Sequence, residues 1–175
     1  IKNRSRVSGW HVGGDAIGND NQYLNLNDTA AIDSATTGFQ SFSSTTFGIG
    51  SDTDWNASSE SIIAYCFAEK KGFSKFGSYT GNGNADGTFV YTGFKPAWVM
   101  IKQSSGSGTS WNIWDNKRLG YNIKNYQLEA NTTVVENTSL ERLLITSNGF
   151  KCLTDNAQIN GSGNTYIYMA FAENP

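Results

Sequence analysis

A string that recurs in the same apolar pattern 104 positions later constrains this chain more than any other feature. SIIAYCFAE at residues 61–69 reappears as TYIYMAFAE at residues 165–173. The correspondence reaches upstream: LNLNDT at residues 24–29 aligns with LEANTT at residues 128–133 at the same offset, and the opening IKN aligns with IKQ at residues 101–103 at an offset of 100. A polypeptide that repeats itself on this scale builds one supersecondary unit and stacks it, each copy burying a face that its neighbour supplies. Residues 72–175 read as a complete module and residues 1–71 as a truncated first one. The first copy has no counterpart of residues 73–100, which leaves an unpaired sheet edge of the kind folded proteins cover. The expectation is that the same polypeptide or a neighbouring chain supplies the cover.

The repeated string is apolar on both alternating faces, with Tyr166, Tyr168, Ala170 and Ala172 on one side and Ile167, Met169 and Phe171 on the other. Such a strand belongs in the middle of a sheet that is covered on both sides. Aromatic residues reach 13% of the chain and glycines number 19, so the apolar content sits in large rings separated by turn formers, which argues for strands. With only two prolines, tight turns fall to Gly and Asn. In the complete module the predicted strands are Ser74–Thr80, 88–92, 97–102, 110–114, 125–130, Leu143–Thr146, 150–154 and Thr165–Ala172, with Asn148-Gly149 as a hairpin turn between the sixth and seventh. Short strands at this spacing predict an all-β fold of antiparallel, jelly-roll-like β-sandwich modules in tandem.

Several function classes are disfavoured. A net charge of −2 gives no basic field to hold a phosphate backbone, so no nucleic-acid partner is expected. The longest strongly apolar stretch, residues 62–68, is far too short for a spanning helix, so no membrane partner is expected either. IKNRS at the start has no charged leader followed by an apolar run, and it reads as a cut end rather than a secretion signal. Cys66 and Cys152 lie in apolar, strand-like contexts and read as buried free thiols. No cofactor is expected.

Candidate chemistry is sparse. His11, the sole histidine, follows Trp10, while Asn112 follows Trp111 at the matching place, and no nucleophile motif accompanies it. It reads as an ordinary strand residue. Asp52 and Asp54 form a D-x-D which, on a strand, puts both carboxylates on one side and suits calcium or an acid/base pair. The surrounding Ser51, Thr53 and Asn56 also fit a solvated turn, and Gln158 stands at the counterpart of Asp54. N-x-S/T sites at Asn3, Asn27, Asn56, Asn131, Asn137 and Asn160 are chance products of the composition unless the chain enters a glycosylating pathway. Trp10, Trp55, Trp111 and Trp114 are candidate glycan-stacking rings, whereas Trp98 in AWVMI reads as core.

The segment GFSKFGSYTGNGNADGTFVYTGFKPAWVMIK at residues 72–102, with AYCFAE, YIYMAFAENP, WDNKR at residues 114–118 and SNGFK at residues 147–151, resembles a family of tandem β-modules in structural proteins of tailed bacteriophages and prophages, often fibre-like or tail-associated. HVGGDAIGND at residues 11–20 departs from the usual pattern of that region. The resemblance carries no catalytic residues. It implies a non-enzymatic protein of the virion surface, part of a tail fibre or receptor-binding appendage that contacts a host-surface glycan or protein. The alternative is a capsid-decoration, tail or appendage scaffold without receptor binding, and an enzyme acting on surface polysaccharide ranks third. Expected partners are other virion proteins, a host glycan and further copies of the chain, with a homotrimer favoured by analogy to fibre proteins.

Overall fold

The structure is a computed structural model and describes residues 1–18, 20–106, 108–118, 122 and 126–174. The chain is all-β, with antiparallel sheets and one short helix among the described residues. In its second half, β8 (Ser74–Thr80), β10 (Pro96–Gln103), β11 (Asn112–Asp115), β12 (Leu128–Glu129) and β15 (Thr165–Ala172) form a five-stranded sheet in the order β12-β11-β10-β15-β8. β9 (Phe89–Tyr91), β13 (Leu143–Thr146) and β14 (Gly149–Cys152) form a three-stranded sheet in the order β13-β14-β9.

Alternation decides how these sheets meet. Tyr166, Tyr168 and Ala170 of β15 point inward with Val99, Ile101, Trp114 and Tyr79, and they meet Val90, Leu143, Ile145, Phe150 and Cys152 of the smaller sheet. The result is a two-layer sandwich with one dry core. Burying a side chain such as Phe150 contributes roughly 1.5–3 kcal/mol. Tyr168 lies across Gly77, where an added Cβ would come within 3.0 Å of the tyrosine ring, so the glycine makes room for the aromatic partner opposite it.

The hairpin expected at Asn148-Gly149 forms, but its two-residue loop is Ser147-Asn148 and Thr146 pairs directly with Gly149. Gly149 takes no positive φ. Glycine is required there because β9 crosses so closely that a Cβ would sit 2.1 Å from the Val90 carbonyl oxygen.

The first half contains β1 (Lys2–Asn3), β2 (His11–Val12), β3 (Gln22–Asn25), β4 (Asp33–Ser34), β5 (Phe39–Phe42), β6 (Phe47–Ile49), α1 (Thr53–Asn56) and β7 (Ile62–Ile63). Most of its pairings repeat those of the second half, and the β5–β6 hairpin departs from them by a one-residue register shift after Phe39. Lys2 faces Ile63 as Lys102 faces Ile167, and Asn3 faces Ile62 as Gln103 faces Tyr166. His11 faces Asn25 and Val12 faces Leu24, as Asn112 faces Glu129 and Ile113 faces Leu128. Tyr23 bridges to Asp33 as Gln127 bridges to Asn137, and Phe39 faces Ile49 as Leu143 faces Cys152. Side chains follow suit: Asn27 accepts the Trp10 amide at 2.7 Å and Asn131 accepts the Trp111 amide at 2.8 Å.

The halves differ where β8, β9 and the N-terminal part of β10 have no counterpart. β7 stops at Ile63, and residues 64–69 run on outside any strand and exposed. Cys66 is therefore exposed, not buried as its apolar context suggested, because neither flanking strand is there to cover it; Cys152 is buried, and both thiols are free. The two halves meet on the outer face of the five-stranded sheet. Ile17, Leu24, Val12, Leu26 and Ile32 pack there against Trp111, Ile167 and Met100.

Candidate functional site

The four tryptophans singled out as stacking rings occupy four different environments. Trp55 lies in α1 with its ring 4.2 Å from His11 in a stacked pair, 4.5 Å from Phe39 and 5.2 Å from Tyr23, both edge-on. It is the centre of the aromatic core of the first half. Trp114 is fully buried between the two sheets of the second half. Trp111 is buried in the seam between the halves and donates its indole N–H to the Asn25 carbonyl at 2.8 Å. A ring that stacks on a sugar must present a face to water, so these three assignments are corrected: Trp55, Trp111 and Trp114 are packing residues. Only Trp10 remains accessible, half-buried and stacked on exposed Tyr65 at 6.1 Å, with the Lys2 ammonium 5.9 Å from its ring centre.

Asp52 and Asp54 do not share a strand. Asp52 is the N-cap of α1: one carboxylate oxygen accepts the Asp54 amide at 2.9 Å, and the other accepts the Thr37 hydroxyl at 3.4 Å. Residues i and i+2 at a helix start diverge, so the side-by-side alternative does not form, and the pair is one cap and one first-turn residue. The counterpart Asn156 accepts the Gln158 amide at the same 2.9 Å without any carboxylate. The position thus closes a helix start in the first half and a turn in the second. Among the described residues no three His, Cys, Asp or Glu side chains gather as a metal site.

His11 is buried, with neither ring nitrogen in good hydrogen-bond geometry and the Asn25 side chain beside it. Burial pushes its pKa down, with the charge of Asp54 the strongest opposing influence. A neutral imidazole packed flat on an indole is a core residue.

Lys102 is a buried polar group that sequence reading passed over. Its ammonium donates to the Gln103 carbonyl at 2.9 Å, and to the Thr29 carbonyl and the Thr109 hydroxyl at 3.4 Å each, so it reaches across the seam to the first half. Burial pushes its pKa down to about 8 against the raising influence of Asp28. The available signal was a lysine directly after isoleucine in both aligned runs, Ile1-Lys2 and Ile101-Lys102.

The strings that carried the resemblance are consumed in making the fold. In WDNKR the Asp115 carboxylate accepts the amides of Lys117 and Arg118 at 2.9 Å each and pairs with the Arg118 guanidinium, which also reaches Glu136 at 2.6 Å. Burial opposes ionisation of Asp115, but the Arg118 amide and the other donors around it outweigh burial and hold its pKa below the usual range. SNGFK is the β13–β14 hairpin, and YIYMAFA is β15, an inner strand between β10 and β8. Asn160, one of the six sequon asparagines, is fully buried, with its amide nitrogen donating to Asn82, Asn84 and Thr154, so no glycan fits there.

Fold and site together define an all-β protein whose conspicuous side chains are spent on packing, caps and turns. The chain belongs to the family described as a domain of unknown function (DUF7483), which matches residues 1–175. Comparison with curated proteins and with solved structures finds no match. No helix among the described residues is long and apolar enough to cross a membrane.

Proposed function

We propose that this protein is a non-enzymatic scaffold of stacked β-modules, the second of which spans residues 72–175 and the first, truncated one residues 1–71. The recurrence of the same pairings, Lys2 with Ile63 and Lys102 with Ile167, carries this reading. Modules joined through a shared apolar seam lengthen a rigid body without new folding rules. The non-enzymatic part is supported by the burial of the sole histidine and by the use of Asp52 as a cap. Placement on a virion, in a tail fibre or other appendage alongside other virion proteins, rests on the resemblance of residues 72–102 to phage structural modules. It is tested by imaging intact particles with an antibody against this chain. Label along a particle appendage supports the placement, and label confined to cell debris counts against it.

Receptor binding is the second reading, and one observation favours it: Trp10 and Tyr65 form an accessible aromatic pair beside a lysine. A glycan array probed with the chain and with Trp10→Ala tests it. Binding lost in the variant supports display of a ligand site, and binding equal in the two removes Trp10 from it. The homotrimer stays an expectation by analogy. Of the apolar residues that motivated it, Tyr166 and Tyr168 are covered within the chain, Ile62 is half-buried and Ala64 is exposed.

A further inference from the structure

The stretch Gly13-Gly14-Asp15-Ala16-Ile17-Gly18 follows β2 where Trp114 and the Asp115–Arg118 pair follow the aligned start of β11. Gly14 has a φ of 147° and Gly18 one of 143°, conformations that residues with a side chain avoid. Between them the Ile17 amide closes a turn on the Gly14 carbonyl at 2.9 Å, and the Ile17 side chain is buried in the seam cluster with Ile167. The turn and the buried isoleucine together hold Asp15 at the rim of a cavity of about 330 Å³ where the two halves meet. Asp15, Ile17 and Ile32 line it from the first half, and Ser78, Ser104 and Thr165 line it from the second. Strand register explains the second wall. Ser78 lies opposite Ile167, and Thr165 precedes Ile167 by one strand period, so both fall on the face that carries the seam. That wall is tied down: the Ser104 amide donates to the Thr165 carbonyl at 2.9 Å, the Ser105 hydroxyl accepts the Thr165 amide at 2.9 Å, and the Ser104 carbonyl accepts the Ile32 amide at 3.0 Å. Among the described residues no hydrogen bond or ion pair engages the Asp15 carboxylate, the Ser78 hydroxyl or the Thr165 hydroxyl.

We propose that this cavity is a binding site for one sugar residue. Its volume falls at the low end of the range of about 300–1,000 Å³ for small-ligand pockets, which sit preferentially where two structural units meet. The lining chemistry narrows the class. A carboxylate with no cationic side chain beside it in the cavity repels anions, and one carboxylate is too few to strip a divalent cation of its water. A wholly apolar molecule would leave the hydroxyls of the second wall without partners. A neutral polyol meets both walls. Its adjacent hydroxyls donate to the Asp15 carboxylate and exchange hydrogen bonds with Ser78 and Thr165, while the C–H face of its ring lies on Ile17 and Ile32. The inference needs only the seam between the halves, and it is independent of the Trp10–Tyr65 pair and of where the protein is placed.

Saturation-transfer difference NMR on the whole chain tests it, with D-glucose, D-galactose, D-mannose, L-rhamnose and N-acetyl-D-glucosamine as probes beside their methyl glycosides. The variants are Asp15→Asn, which keeps the shape of an exposed side chain and removes its charge, and Ser78→Leu, which fills the cavity from an exposed position on β8. Parental melting temperatures, expected because both side chains are exposed, separate loss of binding from loss of fold. The expected result is a saturable signal from at least one of these sugars in the millimolar range that suits so small a ligand, weakened at least about tenfold by each variant. A methyl glycoside that binds as its free sugar does assigns the site to the end of a glycan, and binding confined to free sugars assigns it to the free sugar; both results support the cavity as the site. No saturable signal from any of the probes overturns the proposal. A signal that survives both cavity variants also overturns it, and if that signal disappears in Trp10→Ala the sugar belongs to the aromatic pair instead.

Discussion

The indole N–H of Trp111 reaches the backbone carbonyl of Asn25 at 2.8 Å, joining β3 of the first half to the residue that leads into β11 of the second. Asn25 faces His11 across β2, so this bond ties the aromatic core of the first half to the sheet of the second. Around it, Leu24 and Ile17 pack on Ile167, and the Ile32 amide donates to the Ser104 carbonyl at 3.0 Å.

Trp111→Ala therefore removes a buried ring and leaves a seam carbonyl with less satisfaction. The expected loss is about 3–5 kcal/mol, the range for truncating a buried large aromatic. Trp111→Phe keeps most of the packing and loses the hydrogen bond, at about 1 kcal/mol. Urea denaturation followed by circular dichroism checks both, and a loss below 1 kcal/mol for the alanine variant would show that the seam contributes little.

Buried His11 makes stability depend on pH in a defined direction. Its folded pKa lies below the unfolded value of 6.5, so above that value both states are neutral and nothing is lost. As pH falls below 6.5 the unfolded chain takes up a proton that the native state resists, and stability declines until the folded pKa is passed. His11→Asn, which installs the residue found at position 112, is expected to flatten the segment of the stability profile just below pH 6.5. A profile unchanged by the substitution would contradict the assignment.

Lys102 acts in the opposite part of the scale. With its folded pKa near about 8 and an ordinary value of 10.5, stability rises as pH climbs through that interval, because the native lysine gives up its proton first. Burial raises the Cys152 thiol from 9.0 to about 11, so its ionisation in the unfolded chain lowers stability above pH 9, and Tyr79 and Tyr166 do the same above pH 10; the clean window is about pH 8 to 9. Lys102→Met should abolish the rise in that window, as read from melting temperatures at half-unit intervals of pH.

Gly149→Ala places a Cβ 2.1 Å from the Val90 carbonyl oxygen, and that atom belongs to a strand rather than to a side chain that can turn away. The expected cost is at least about 1–3 kcal/mol, the range for overpacking a well-filled interior. Gly14→Ala, at a position with open space but a φ of 147°, is the control for backbone strain without crowding. A β14 variant as stable as the parent would mean that β9 yields without penalty.

Alternation and turn chemistry made much of the second half legible. Ser74–Thr80, Leu143–Thr146 and Thr165–Ala172 have the predicted bounds, because each is a run with an unambiguous period and flanking turn residues. The strand expected at 125–130 begins outside the described residues and is present as Leu128–Glu129. The tryptophans were not legible, since a period of two tells which face a ring is on but not what lies against that face. Trp111 points away from the sandwich core and is still buried, by residues distant in sequence. The short helix α1 was missed because four residues carry no helical period; its one sequence sign is Asp52 ahead of Thr53 and Asp54. Cys66 and Cys152 look alike in sequence and differ only in which neighbours accompany them.

The carboxylate of Glu69 accepts the Phe76 amide at 3.0 Å on the outer side of β8, where the five-stranded sheet ends, and the Lys75 ammonium sits beside it at 3.2 Å. A strand arriving there would have to displace a charged group from a bond it already makes. The Glu69 segment thus closes this border of the five-stranded sheet to edge-to-edge pairing. A border closed in this way does not seed the sideways, gel-forming growth that unguarded sheet edges invite.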